Sequence, residues 1–581
     1  MVLSRRLIFT LAALVCAWAA LPGQISSRGV KAQPRGKPSG MPFLAKFSDV
    51  AAPAGLTEAV VYGGVQNITY LTETSGGGVA FFDFDNDGWQ DVFVVNGERL
   101  EEPSLRRSHM LYRNRRDGTF ERSELQSSCW GMGVATGDVD NDGWEDLFVT
   151  CLGQNRLLRN EQGRFTDITE KAGLMQKRAR PYWGSGATFL DGDNDGDLDL
   201  VVVNYLDFDA DRVPKPGKSA NCNWKGVPVV CGPRGLPPGR VWYYENKGGL
   251  RFEEASERAG VAKISGTYAM TAVAVDVDAD GWTDVYVAGD SSPSLLLRNT
   301  GKGTFVEEGI ERGIALNDDG MEQAGMGIGI GDVNLDGHLD FFKTHFSDDT
   351  NILYRNDGKG NFRDDTIASG LGVETRFVGW GASIDDLDND GLPDLFFVTG
   401  SVYPDSEGKL PAYPYKTPRS VFRNLGNGKM EQLIAEAGAG VAAAHSSRGA
   451  AFGDYDNDGD VDVLVWNRNE PVSLLRNDLS GDRKWIKLKL VGTKANRSAI
   501  GARVALQYGS RKQGKAVTSQ ASFYSVNDSR LHFGLGAETT ASATVYWPGG
   551  KQETVSGLPA NHLVTIREGE GVVKKEPLGA K

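Results

Sequence analysis

Nine residues from Asp83 to Asp91 place side-chain oxygens at positions 1, 3, 5 and 9 and a glycine at position 6. The same spacing returns in six more nonapeptides, which begin at Asp138, Asp191, Asp276, Asp332, Asp386 and Asp454. Such a loop suits calcium, a hard cation that takes roughly six to eight oxygen ligands, and the glycine permits the sharp turn. Magnesium is disfavoured because it keeps several of its waters. We therefore predict about seven calcium ions, one in each loop.

The seven loops differ at one ligand position. Of 28 side-chain positions, 27 are aspartate and one is Asn334, which offers an oxygen without a charge. The fifth site should therefore bind its ion more weakly than the others. The predicted side-chain ligands are Asp83, Asp85, Asp87 and Asp91; Asp138, Asp140, Asp142 and Asp146; Asp191, Asp193, Asp195 and Asp199; Asp276, Asp278, Asp280 and Asp284; Asp332, Asn334, Asp336 and Asp340; Asp386, Asp388, Asp390 and Asp394; and Asp454, Asp456, Asp458 and Asp462.

These ligands dominate the charge of the chain. The formal net charge is −13, and seven divalent ions would bring it close to neutral. The acidic balance therefore says little about partners, but it predicts that the ion-free loops repel themselves and that folding depends on calcium. The sequence has no basic stripe of the kind that binds nucleic acid.

The loops are embedded in a repeat of about 55 residues, lengthened in the third and sixth periods. Each period holds four short strand-like segments: a Gly- and Ala-rich run before the loop, an apolar run after it, a segment resembling Leu-Tyr-Arg-Asn, and a Gly-x-Phe segment. Four strands at a regular period predict a propeller blade. The seventh period lacks Gly-x-Phe, and residues 46–50 match the missing piece, so we expect them to close the last blade.

From Trp485 onward the pattern changes to clean alternation, as in Trp485 to Leu490, which predicts a small β-sandwich. The predicted fold is therefore all-β: a seven-bladed calcium-binding β-propeller followed by a small β-sandwich-like domain.

The repeated Asp-x-Asp-x-Asp-Gly-x-x-Asp pattern, with its Tyr-Arg-Asn and Gly-x-Phe segments, resembles FG-GAP repeats of the VCBS type over residues 45–478. Such repeats form the calcium-binding blades of integrin α-subunit propellers and of many secreted bacterial proteins. The segments Asn496 to Val504, His532 to Gly536 and Trp547 to Gly550 are similar to the ASPIC/UnbV domain. The combination resembles the cartilage acidic protein family and its bacterial relatives, a family without a well-defined general activity.

The N-terminus is typical of an exported protein. Arg5 and Arg6 precede an apolar run too short for a membrane span, so we predict a signal peptide over residues 1–21 and a flexible leader over 22–42. The propeller is predicted for 43–480, the ASPIC/UnbV domain for 481–570 and a tail for 571–581. The mature chain should have no membrane span and should be secreted, periplasmic or extracellular. Cys222 and Cys231 are a plausible disulfide there, whereas pairing of Cys129 with Cys151 stays open.

Two classes of function fit this fold. Insertions at about 96–109, 204–240 and 400–420 fall between second and third strands, on the face opposite the calcium loops, and favour a binding or adhesion module for an extracellular protein or glycan. The alternative is a calcium-dependent lyase, cyclase or hydrolase working in the central pocket, which would need convergent acid and base groups. No catalytic residue is assigned. His532 could be catalytic, but a strand residue with a satisfied hydrogen bond is the plainer interpretation. The side chains that could line the channel mouth, or else serve packing and capping, are Trp130, Trp183, Glu322, Gln323, Trp380, His445 and Arg448. Tyr403, Tyr413 and Tyr415 lie in the Pro-rich insertion, where we expect them to be exposed and therefore better contact candidates.

Overall fold

The computed structural model describes residues 29–579 except 66–67, 101–107, 177–181 and 265. The predicted signal peptide, the start of the leader and part of the 96–109 insertion therefore lie outside the described residues. Within the described ranges, no helix is long and apolar enough to cross a bilayer.

Seven four-stranded antiparallel sheets, here called blades 1 to 7, follow one another along the chain. In blade 1, Val79 lies opposite Val94, Val92 opposite Tyr112, and Asn114 opposite Phe120. The strands of blades 1 to 4 are Val79–Phe82, Asp91–Val94, Met110–Asn114 and Phe120–Ser123; Trp130–Gly137, Asp146–Leu152, Arg156–Asn160 and Phe165–Asp167; Gly184–Leu190, Asp199–Asn204, Val241–Asn246 and Phe252–Glu254; and Ala269–Val275, Asp284–Gly289, Leu295–Asn299 and Phe305–Glu307. Those of blades 5 to 7 are Ile328–Gly331, Asp340–Lys343, Ile352–Asn356 and Phe362–Asp364; Gly379–Asp385, Asp394–Thr399, Ser420–Asn424 and Met430–Leu433; and Ser447–Gly453, Asp462–Asn467, Ser473–Asn477 and the N-terminal Phe47–Asp49.

The last blade takes its outer strand from the other end of the chain. Phe47–Asp49 pairs antiparallel with Ser473–Asn477, with Phe47 opposite Asn477. Blades 7 and 1 also share one apolar core, in which Phe452 and Val463 belong to the same cluster as Val79 and Phe81. The blades thus form a ring without an open sheet edge between its ends.

Second strands are apolar on both faces because each blade is sandwiched between two others. In Asp91–Val94 all four residues are buried, and Phe93 packs with the blade 2 residues Val134 and Leu147. Such strands appear as continuous apolar runs in the sequence, unlike the alternating strands of a half-exposed sheet.

The C-terminal domain is a sandwich of two four-stranded sheets. Side chains such as Leu488, Phe533, Leu506 and Val545 fill the space between them. In spatial order the strands are Leu531–Gly536, Lys484–Val491, His562–Arg567 and Gly571–Pro577 in one sheet, and Arg511–Ala516, Arg503–Tyr508, Thr540–Tyr546 and Gln552–Pro559 in the other. The predicted all-β fold class is confirmed, and seven repeated sheets are consistent with seven blades.

The remaining described elements are short. A two-stranded hairpin, Asn223–Trp224 with Val227–Pro228, stands in the insertion of blade 3. The helical turns are Leu71–Glu73, Ala220–Cys222, Val261–Lys263, Thr366–Ser369, Leu371–Val373, Pro404–Ser406, Ala435–Ala437 and Ala439–Ala442.

Candidate metal centres

Each acidic loop joins the first and second strands of a blade and is held by its own carboxylates. In blade 1, Asp83 accepts hydrogen bonds from the backbone N–H groups of Asp87 and Gly88, both at 2.9 Å. Position 4 has a left-handed φ between 56° and 64° in all seven loops, and the glycine at position 6 has φ between 83° and 98°. The invariant glycine is therefore required by backbone conformation as well as by space.

The position-9 aspartate ties the loop to the rest of its blade. Asp91 accepts a bond from the backbone N–H of Phe84 at 3.1 Å and another from that of Asn114, on the third strand, at 2.7 Å. The same pair of bonds is present in every blade. The position-9 carboxylate is thus held against the start of its own loop and against the third strand of its blade.

Convergence is direct in at least five loops. Carboxylate oxygens from three residues lie within 4.8 Å of one another in the groups Asp83, Asp85, Asp91; Asp138, Asp140, Asp146; Asp191, Asp193, Asp195; Asp276, Asp278, Asp284; and Asp386, Asp388, Asp394. Buried like charges this close together are unfavourable unless a cation lies among them. The Asp clusters are therefore sites that could bind metal ions.

The aspartate oxygens at position 3 provide an independent test of whether the loops fit a metal ion. Buried carboxylate oxygens normally accept hydrogen bonds, and leaving one without a donor is costly. The buried Oδ1 atom nevertheless has no hydrogen-bond donor in Asp85, Asp140, Asp193, Asp278 and Asp388. Each of these loops offers only oxygen ligands, and its position-3 oxygen has no hydrogen-bond donor. Both features fit a hard cation.

Burial raises the pKa of several aspartates in these loops. It raises the pKa of Asp91 to about 8, with a smaller contribution from Asp85, and it raises the pKa of Asp146 and Asp340 to about 8. Without a compensating cation, such groups would hold protons at neutral pH. A cation among these carboxylates would stabilise their ionised form.

Arginines of the third strands supply part of the balancing charge. Arg113 Nε lies 2.5 Å from Asp85 Oδ2, and Arg159 Nη2 lies 2.7 Å from Asp140 Oδ2. Both arginines remain accessible to solvent, so each pair contributes little to stability on its own. In blades 1 and 2 the arginine of the repeated Arg-Asn dipeptide therefore pairs with the acidic loop, whereas Arg298 and Arg476 pair with Glu308 and Asp478 outside the loops.

The asparagine of that dipeptide links neighbouring blades, a role that sequence reasoning missed. Asn160 Nδ2 donates to the carbonyl of Phe84, at position 2 of the preceding loop, at 2.8 Å. Asn114 does the same to Tyr455 of blade 7 at 2.8 Å and so closes the ring. The seven residues are Asn114, Asn160, Asn246, Asn299, Asn356, Asn424 and Asn477. The signal was present in the sequence as one asparagine at a fixed place in each period.

A second set of bonds runs in the opposite direction. Asn86, at position 4, donates to the carbonyl of Gly143 in the next loop at 2.9 Å, and Asn457 donates to Gly88 at 3.2 Å. Blades 4 and 5 carry Ala279 and Leu335 at this position and cannot form the bond. The loops are therefore connected to one another as well as to their own blades.

The C-terminal domain covers the face that carries the acidic loops. The backbone N–H of Gly514 donates to Asp332 Oδ2 at 2.9 Å, Arg503 Nη2 lies 3.5 Å from Asp276 Oδ2, and Lys487 forms a buried ion pair with Asp454. All three aspartates occupy position 1 of their loops. This domain thus contributes cations and donors directly to the candidate metal centres.

A segment of the same domain fills the middle of the ring. Residues 519–526 lie between two sandwich strands and are almost entirely buried against the first strands of the blades. Gln520 Nε2 donates to the carbonyl of Val134 at 2.8 Å, the backbone of Ser522 pairs with that of Ile328, and Val526 N donates to Val79 O at 2.9 Å. We call residues 519–526 the plug.

Glycines in the first strands make room for the plug. A Cβ atom at Gly78 would lie 1.7 Å from the carbonyl oxygen of Tyr524, and one at Gly449 would lie 2.7 Å from Ser525 Oγ. Small residues suit the centre of the ring, where the blades converge. In the structure, the plug of the C-terminal domain occupies that centre.

Most side chains weighed as contacts serve packing or capping. Trp130, Trp183 and Trp380 are buried, and Arg448 is buried and donates to backbone carbonyls such as that of Thr74 at 2.9 Å. His532 is buried too, with Nε2 2.7 Å from Asn389 Oδ1.

The remaining candidates lie in or near the insertions. His445 Nδ1 lies 2.6 Å from Glu470, Arg234 pairs with Glu322 at 3.2 Å, and Gln323 donates to Asp349 at 3.1 Å. These polar groups are already engaged with other residues.

The prediction that Tyr403 is exposed was wrong. Its side chain is 2% exposed, with ring centroids 5.5 Å from Trp224 and 6.0 Å from Phe346. The insertions of blades 3 and 6 fold against each other and bury it, whereas Tyr413 and Tyr415 are partly exposed. Both cysteine pairs, Cys222 with Cys231 and Cys129 with Cys151, form disulfides.

Comparison with known families agrees with this architecture. The FG-GAP-like repeat family matches residues 83–149, 138–202, 276–343, 332–397 and 386–465, which together span more than half of the chain. The chain therefore belongs to the FG-GAP-like repeat family. Residues 492–573 match the ASPIC and UnbV family.

Similar individual proteins were also found. Cartilage acidic protein 1 of Homo sapiens is 23% identical over 505 residues, covering 82% of this chain and 69% of that protein. The Xenopus tropicalis protein of the same name is 24% identical over 502 residues, covering 82% and 70%. Among solved structures, an Agrocybe aegerita lectin that recognises non-reducing terminal N-acetylglucosamine overlaps with a TM-score of 0.37 and 16% identity, over 64% of this chain and 89% of that one. So low a TM-score carries no functional argument.

Proposed function

We propose that this protein is an exported, calcium-stabilised propeller that binds an extracellular protein or glycan on its insertion face. The insertion face consists of residues 204–240 and 400–419, which connect second to third strands. The apolar N-terminal run and two disulfides support export to an oxidising compartment.

Calcium is the ion we propose for the acidic loops. The donors are carboxylate oxygens only, three of them converge within 4.8 Å in several loops, and the position-3 oxygens lack donors. Zinc would favour nitrogen and sulfur ligands, and magnesium would keep most of its waters. In this proposal the ions hold first and second strands together, and function lies elsewhere.

The covered loop face is the observation that carries the binding proposal. The C-terminal domain lies on the acidic loops and its plug fills the ring, so much of that face is already occupied. The opposite face carries two long insertions, one of them held by the Cys222–Cys231 disulfide. Long ordered loops on a rigid scaffold are where binding residues concentrate.

Calcium binding is tested by titrating chelator-treated protein with CaCl2 in a calorimeter. We expect a stoichiometry near seven and a loss of one site in Asp388→Ala. Asp482→Ala removes a carboxylate that is 92% exposed and lies outside the loops, so it should keep the full stoichiometry. Stoichiometry below two, or equal stoichiometry in both variants, would refute the assignment.

The binding face is tested on glycan and protein arrays, with and without calcium. Arg212 lies in the 204–240 insertion and is 71% exposed, whereas Arg363 lies on the outer strand of blade 5 and is 78% exposed. Arg212→Ala should weaken binding to any array hit, and Arg363→Ala should leave it unchanged. A hit that ignores Arg212→Ala and removal of the 400–419 loop would place the binding face elsewhere.

A further inference from the structure

A narrow cavity opens near the centre of the ring on the insertion face. It is lined by the ends of first strands, by loops that follow second strands and by both insertions, and its volume is about 40 Å3. Its apolar walls include Tyr205, Met270, Met326, Trp380 and Tyr403. The plug lies directly behind this wall, because the hydroxyl of Tyr524 donates to Met270 Sδ at 2.9 Å.

One carboxylate, Asp290, lies in this cavity. Its Oδ1 accepts a hydrogen bond from Ser291 Oγ at 2.7 Å, and its Oδ2 accepts one from the hydroxyl of Tyr205. Among the described residues, no lysine, arginine or histidine forms an ion pair with it. Arg234 acts on it from a distance, but its guanidinium is engaged with Glu322 at 3.2 Å.

Asp290 is deep yet still accessible. Its side chain is only partly buried, while Tyr205, Ser291, Trp380 and Tyr403 around it are almost completely buried. Burial raises the pKa of Asp290, opposed by its two hydrogen bonds and by Arg234. Asp290 is therefore a partly accessible acid in the wall of the cavity.

We propose that this cavity binds the ammonium group of an organic cation, carried either by a small amine or by a lysine side chain of a bound partner. A cation offsets the charge of Asp290, and aromatic and thioether walls attract an organic ammonium more than a strongly hydrated inorganic ion. A single carboxylate is too few ligands for a divalent metal. The proposal rests on the proposed function only in placing the partner on the insertion face.

The test uses the full chain with calcium present and compares n-butylammonium with n-butanol, which has a similar shape but no charge. Binding is measured by calorimetry and saturation-transfer NMR at constant ionic strength. We expect butylammonium to bind at least tenfold more tightly than butanol. This comparison needs no variant, so it holds even if a cavity substitution fails to fold. Measurable binding of both probes with equal affinity overturns the proposal.

Variants then locate the charge. Asp290→Asn should weaken butylammonium binding at least tenfold. Glu407→Gln makes the same charge change on an exposed residue of the 400–419 insertion that does not line the cavity, and it should change the affinity less than twofold. An Asp290→Asn protein with native melting temperature and unchanged affinity contradicts the proposal.

Two further probes separate the sources of the cation. Nα-acetyl-lysine amide is compared with Nα-acetyl-norleucine amide. Binding of the lysine probe but not butylammonium assigns the cavity to a partner's side chain, and binding of both assigns it to amines in general. Failure of every cation with folded protein overturns the proposal while leaving the array test of the insertion face intact.

Discussion

The plug makes a quantitative prediction at Phe523. This side chain is fully buried, with ring centroids 4.9 Å from Trp380 of blade 6 and 3.9 Å from Tyr524. Replacing a buried phenylalanine by alanine costs about 4 kcal/mol through lost burial and the remaining cavity. Although Phe523 belongs to the C-terminal domain, its loss should destabilise the propeller, because the ring closes around it.

The assay is thermal unfolding in calcium, followed by calorimetry and tryptophan fluorescence. For a cooperative unit of roughly 500 residues, about 4 kcal/mol corresponds to a fall of about 4 °C in melting temperature. Val573→Ala is the control, because it truncates a 40% exposed side chain in the same domain and should shift the temperature by less than 1 °C. A folded Phe523→Ala protein that melts within 1 °C of the wild type would refute the docking of the plug.

Three further predictions concern the ions, the ring and a buried histidine. Chelation should lower the melting temperature by more than 10 °C, because each ion adds about 2.7 kcal/mol when free calcium is about 100 times its dissociation constant; an unchanged melting curve contradicts structural calcium. Asn114→Ala leaves buried carbonyls of two blades without a donor and should cost about 3 kcal/mol in denaturant unfolding, whereas Asn427→Ala, at an exposed turn, should cost under about 0.5 kcal/mol. Burial lowers the pKa of His109 to about 3, whereas its unfolded-state pKa is near 6.5. The free energy of unfolding is therefore highest above pH 6.5 and falls as the pH is lowered, by roughly 2 kcal/mol at pH 5. His109→Asn keeps an acceptor for the backbone N–H of Asn96, which lies 3.1 Å from Nδ1, and should remove that part of the pH dependence; identical pH profiles would contradict it.

Features that depend on nearby residues were predictable. Each acidic loop is nine consecutive residues, so the positions of its ligands and its glycine appear directly in the sequence. The all-β class followed from the repeated strand segments for the same reason. The repeat also identified Phe47 as a counterpart of Phe165, and the structure pairs Phe47 with Asn477. The pairing of the two chain ends could be predicted because the N-terminal segment matches a strand that the other periods contain.

Features that depend on distant residues were not predictable in the same way. The plug pairs Ser522 with Ile328 and Gln520 with Val134, and neither pairing has a counterpart in another period. Tyr403 stands in a Pro- and Gly-containing insertion, whose composition favours exposure, yet it packs on Trp224 from a different insertion. The composition of a loop does not indicate whether another loop packs against it and buries its side chains.

The distribution of charge explains why the two domains meet at the acidic loops. A loop with four carboxylates retains two negative charges after it binds one divalent ion, and burial makes that remainder unfavourable. Arg113 and Arg159 approach from the solvent side of the blade, while Lys487 and Arg503 approach from the C-terminal domain. The cations of the domain are therefore placed where an ion-filled loop is still negative. The same contacts bury the position-1 aspartates Asp276, Asp332 and Asp454. The C-terminal domain does not cover the insertion face, which is where we propose that a ligand binds.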